Sequence, residues 1–162
     1  VSAARQGELT IVGKAKDLVN HTLTVTNNSK LFPKKVRFTI CQRMQNISLQ
    51  ILHDILAANE IYPDNRQKME QRLDLQKEVL TNCKVFLSLL DIALEQGYVD
   101  IRRCEYWTGL TTDVKNMAAS WRKKDAERFN RLLAEKKAQA QGQPPRGQQP
   151  PPRQGGPQYP RR

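Results

Sequence analysis

The chain has 162 residues, a formal charge of +11 and a hydrophobic fraction of 38%, which leaves room for one domain with a modest core and an appendage. No apolar run approaches the roughly eighteen to twenty residues of a membrane-spanning helix, so no membrane is expected among its partners. The cysteines, Cys41, Cys83 and Cys104, never pair at C-x-x-C spacing and the histidines lie elsewhere, which argues against a zinc site and for reduced core thiols.

Residues 1–8 are short of apolar groups and are expected to be disordered; Val1 to Gly7 does not read as a signal peptide, and a cytoplasmic protein is expected. A first helix is predicted from about Glu8 to Thr26, with Ile11, Ala15, Leu18, Val19 and Thr22 inward. Asn27-Asn28-Ser29 is turn chemistry. Phe32-Pro33 opens the second helix, since proline is tolerated in a first turn. Val36, Ile40, Met44, Ile47, Ile51, Ile55 and Ala58 form its stripe; Phe38, Cys41, Leu49, Leu52 and Leu56 widen it, so this helix is expected to be buried on two sides. It ends near Asn59.

Tyr62-Pro63-Asp64 starts a long third helix reaching Gln96, with Asp64 and Gln67 placed to serve the free first-turn amides. Its stripe is Met69, Leu73, Gln76, Leu80, Cys83, Leu87, Leu90 and Leu94, interrupted only by Gln76. Gly97 suits the left-handed residue that follows a helix, and Asp100 caps a fourth helix beginning at Ile101. There Cys104, Trp107, Thr111, Val114, Ala118 and Trp121 continue the rhythm, so both tryptophans are expected in the core rather than as base-stacking platforms. The amphipathic pattern persists to about Lys137. The fold class expected is all-α: an antiparallel up-down four-helix bundle over residues 9–137 with a disordered Pro/Gln/Gly/Arg-rich tail over 138–162.

Catalytic chemistry is not legible. The residues three before His21 and His53 are Leu18 and Gln50, which argues against a di-metal bundle, and neither histidine follows an arginine at the spacing of some helical RNases. Glycines stand singly, so there is no phosphate loop. No catalytic residue, metal or cofactor is assigned, and the chain is expected not to be an enzyme.

Charge points instead to a surface. Lys30, Lys34, Lys35, Arg37 and Arg43 gather around the start of the second helix. Arg102 and Arg103 fall in the first turn of the fourth, where the helix macrodipole disfavours cations, which hints at a bound anion. Lys115, Arg122, Lys123 and Lys124 follow along the same helix, and from Arg122 onward eleven basic residues face three acidic ones, a bias that attracts polyanions such as RNA or DNA.

Residues 31–38 (Leu-Phe-Pro-Lys-Lys-Val-Arg-Phe), 92–100 (Ile-Ala-Leu-Glu-Gln-Gly-Tyr-Val-Asp), 105–107 (Glu-Tyr-Trp) and 114–121 (Val-Lys-Asn-Met-Ala-Ala-Ser-Trp) together resemble the accessory variability determinant (Avd) family of diversity-generating retroelements. A wider relative is the four-helix protein of intervening sequences in ribosomal RNA genes. The resemblance covers roughly residues 9 to 125. It implies a non-enzymatic homo-oligomer, a pentamer in the family, that associates with a reverse transcriptase and its template RNA or DNA for mutagenic retrohoming. By position, Lys34, Lys35, Arg37, Arg43, Arg102 and Arg103 would line that contact. Two other readings stand beside it: a stand-alone helical interaction module without nucleic-acid function, and a small helical nuclease or toxin component.

Overall fold

The computed structural model describes residues 3–142. Four helices make up most of it: α1 (Ala3–Thr26), α2 (Gln42–Glu60), α3 (Arg66–Glu95) and α4 (Ile101–Gly142). Each packs on the next in sequence, and α4 closes back on α1, which is the up-down arrangement of a four-helix bundle. Cross-links between helices give the directions. Lys14 and Thr22 of α1 meet Asp113 and Trp107 of α4, and Arg72 and Leu90 of α3 meet Asp125 and Cys104 of α4, so both pairs run antiparallel. The first helix begins earlier than the sequence suggests, and α4 runs five residues past Lys137; the rest of the expected tail, like residues 1 and 2, lies outside the described residues.

The centre of the bundle is Trp107, fully buried, with Phe86 and His21 against its ring at 5.8 and 5.4 Å. Its Nε1–H donates to Thr22 Oγ1 at 3.1 Å, and that hydroxyl donates in turn to the Leu18 carbonyl one turn back. Thr22 is a poor helix former whose hydroxyl is used twice, so its place in α1 has a packing reason. One turn on, Thr26 Oγ1 donates to the Thr22 carbonyl and accepts from Gln45 Nε2 of α2 at 2.8 Å. Burial holds the His21 imidazole below its ordinary pKa, so the ring sits neutral between Tyr106 and Trp107. All three cysteines are buried and unpaired, and burial pushes the Cys83 thiol up to about 12.

In α3 the buried line is Met69, Arg72, Gln76, Val79, Cys83, Phe86, Leu90 and Ala93, shifted from the predicted stripe; Leu73, Leu80, Leu87 and Leu94 are only half-buried. Gln76 is therefore no interruption. Its Nε2 donates to Asp125 Oδ2 at 2.7 Å, and the same oxygen accepts from Arg72 Nε at 2.7 Å. Arg72 also donates through Nη1 to the Ile61 carbonyl, and its guanidinium lies 5.0 Å from the Trp121 ring centroid.

The helix ends correct two further expectations. Asn65, not Asp64, caps α3: its Oδ1 accepts the Lys68 N–H at 2.9 Å, while Asp64 pairs with the Lys68 ammonium. At the other end Gly97, at φ 72°, lets Tyr98 N–H reach the Ala93 carbonyl and Gly97 N–H the Leu94 carbonyl, the paired bonds of a Schellman ending. The approach to α2 is irregular rather than a simple proline-opened helix. A 3₁₀ turn at Lys34–Val36 runs into a π turn at Arg37–Cys41, where the Gln42 N–H reaches back to the Arg37 carbonyl. Phe38, Leu49 and Leu56 are exposed, so the second side of α2 is not covered among the described residues.

Removing the carboxylate of Asp125 takes away the acceptor that lies 2.7 Å from the buried Arg72 Nε and from Gln76 Nε2. Asp125→Ala is expected to cost about 3 kcal/mol in urea unfolding, and adding Arg72→Leu to it to recover most of that loss.

Candidate binding surface

The candidate surface is the end of the bundle where two turns meet. The Phe32 ring, in the turn after α1, lies 5.4 Å from the Tyr98 ring in the turn after α3. Phe32 is buried there together with Val99. This contact brings the start of α2 beside the start of α4. Lys34, Lys35, Arg37 and Arg43 therefore share one end of the molecule with Arg102 and Arg103, and all six are exposed. The end is strongly basic for a reason visible in the chain: between Asp17 and Asp54 there is no carboxylate, and five cations fall in that interval.

The other four predicted residues are elsewhere. Lys115 is half-buried midway along α4. Arg122 is also half-buried and donates through Nε to the Leu73 carbonyl at 3.3 Å, so it serves the α3–α4 packing. Lys123 and Lys124 are exposed, but twenty-one residues separate Arg102 from Lys123, about 30 Å of helix. Six of the ten residues thus share one end, Arg122, Lys123 and Lys124 lie toward the other and Lys115 lies between, so they are not one surface.

Arg103 is answered internally. Asp100 accepts its backbone N–H at 2.9 Å and its guanidinium at 2.7 Å, so a carboxylate already offsets one of the two first-turn cations. Arg102 has no ion-pair partner among the described residues, nor do Lys34, Lys35, Arg37 and Arg43. The Cys41 thiol lies under this surface; burial raises its pKa, and the charge of Arg37 pulls the other way.

Two features lie outside the predicted binding residues. The first is the exposed side of α2. Gln45 bonds to Thr26 and Asn27, which places α1 on that flank of α2, and Leu52 lies two turns along the same flank. Leu49 and Leu56, 46% and 42% exposed, stand just outside half-buried Leu52 and form an apolar line along the helix. The apolar second side of α2 is legible in the sequence; that Leu49 and Leu56 in particular stay exposed is not. The second is Phe38, 78% exposed among the cations.

His53 is exposed with Nδ1 3.0 Å from Asp54 Oδ1. Asp54 also accepts from Gln50 Nε2 at 2.7 Å and lies 3.5 Å from Asn82 Nδ2, so the carboxylate ties α2 to α3. Among the described residues no three or more His, Cys, Asp or Glu side chains converge as metal ligands would, and no helix is long and apolar enough to cross a membrane. A shallow recess between Pro63, Met69, Phe129, Leu132 and Leu133 holds none of the predicted site residues.

The contrast at the start of α4 is measurable. Asp100→Ala is expected to lower stability by about 1 kcal/mol through loss of the cap. Arg102→Ala is expected to change it by less than about 0.5 kcal/mol in the same urea titration. Compared with known proteins, the chain matches no protein family, no curated protein and no solved structure.

Proposed function

We propose that this chain acts by binding rather than catalysis, as a helical interaction module whose contact face is the outer side of α2. The observation that carries this reading is the line Leu49, Leu52, Leu56, apolar at helical spacing and left open by α1. An amphipathic helix of a partner protein, laid along α2, covers such a line with its own residues at three- and four-residue steps. The gain comes from removing leucine surface from water, an outcome a single chain of this fold does not reach. If the line serves a partner and not the core, Leu49→Asp combined with Leu56→Asp leaves stability within about 1 kcal/mol of the parent in urea unfolding. A substantially larger loss places these side chains in the core and sinks the reading.

A second reading is favoured by a separate observation: the six cations gathered at one end, with no carboxylate between Asp17 and Asp54. With the resemblance of residues 31–38, 92–100 and 114–121 to the accessory proteins of diversity-generating retroelements, it makes this chain an oligomeric bundle. In it the exposed side of α2 joins copies of the chain, and the basic end holds template RNA or DNA beside a reverse transcriptase.

Binding of RNA and DNA oligonucleotides by the full chain, followed against salt concentration, separates the two. The interaction module is expected to show the same affinity and slope with and without Lys35→Glu combined with Arg37→Glu. A steep slope of log affinity against log salt that this charge reversal flattens overturns it in favour of the accessory protein, because the slope counts phosphates engaged.

A further inference from the structure

The basic end carries an aromatic ring that the fold does not use. Phe38 is 78% exposed, more than any other large apolar side chain described. On a regular α-helix the residue three before buried Cys41 shares its face. The wider π turn over Arg37–Cys41 carries Phe38 off that line and out of the core. A phenylalanine in water is unfavourable, and among the described residues none covers this ring.

The ring's surroundings select its ligand. Lys34, Lys35 and Arg37 lie within one turn of it and are exposed, and Arg43 follows on the next turn. The other exposed aromatic side chains lack this setting: Tyr62 stands between Glu60 and Asp64, and Tyr106 follows Glu105 and lies 4.9 Å from His21. Trp107 is buried, and Trp121 is half-buried beside Arg72. A polyanion that also offers flat apolar faces satisfies both the cations and the ring. Single-stranded nucleic acid is such a ligand: its phosphates meet the cations and an unpaired base lies on the aromatic face. A duplex keeps its bases stacked inside and presents phosphates first, so the ring gains little from it.

We propose that Phe38 is a stacking platform for an unpaired base, which makes the basic end of the bundle a contact for single-stranded rather than duplex nucleic acid. This rests on the second of the two readings above and adds to it the strandedness of the ligand and the residue that sets it. The surrounding cations supply affinity without sequence preference, and the phenyl ring discriminates by what it can reach.

The test is fluorescence anisotropy of the full chain with labelled single-stranded RNA and DNA of about fifteen nucleotides and with duplexes of the same length. Phe38→Ala is expected to weaken single-strand binding about five- to hundredfold and to leave duplex binding and both salt slopes as they were. Phe38→Trp is expected to keep single-strand binding, with the added, exposed indole quenched as the strand binds. The proposal is overturned if Phe38→Ala weakens neither ligand or weakens both alike. It falls together with the reading beneath it if the parent chain binds neither ligand; single-strand binding that Phe38→Ala leaves intact while Lys35→Glu with Arg37→Glu abolishes it removes the stacking role alone.

Discussion

One carboxylate oxygen sets how the second half of the chain is assembled. Asp125 Oδ2 accepts from Arg72 and Gln76 of α3, and Arg72 reaches on to the Ile61 carbonyl at the end of α2. Three helices are thereby fixed to each other at the end of the bundle remote from Arg102 and Arg103. A buried ion pair is weak evidence of stability, because desolvating both charges costs several kcal/mol. Its consequence here is register. If α4 slid by one turn against α3, Arg72, which is 8% exposed, would lose its counter-charge in a place where water reaches it poorly. With the register set there and the hairpin closed by Gly97, the start of α4 has one place to be, beside the start of α2.

That outcome explains why the two candidate surfaces lie on one element. α2 is held to α1 through Gln45 and to α3 through Asp54, and its inner face is filled by Met44, Ile47, Ile51, Ile55 and Ala58. The outer leucines and the cations around its start are what these attachments leave over. A partner helix along the leucines and a polyanion at the basic end would meet within a few turns of the same helix.

The bundle was legible in the sequence because four apolar rhythms, two breaks with proline or glycine and one aspartate cap all agree. The details that failed have physical causes. Leucine weighs more than arginine or alanine in any apolar count, so the α3 stripe was drawn through Leu73, Leu80 and Leu87. The helix lies between α2 and α4, and its wide buried face takes in Arg72, Val79 and Phe86 beside Met69, Gln76, Cys83 and Leu90. Arginine is seldom buried, and here a partner fifty-three residues away accounts for it. Phe38 was assigned to the core for the same reason in reverse: residue type gave its hydrophobicity, and nothing in the spacing announces a π turn. That the basic residues fall in separate places was not legible, since chain order gives no sign that Arg102 and Lys123 face different ends.

The length of α4 has a consequence of its own. At 42 residues it extends about 60 Å, roughly twice the span of the 19-residue α2. From Ala134 to Gln141 every side chain is exposed, so this stretch projects from the bundle as a single helix. The described part of α4 ends at the tip of that projection, about 60 Å of helix from Arg102. The helix is therefore a spacer of set size between two cationic groups, Arg102 with Arg103 in its first turn and Lys136 with Lys137 near its exposed end. A short anionic polymer reaches one of them at a time, whereas a polymer long enough to span the spacer can meet both, and its second contact then forms at the high local concentration of a tethered end.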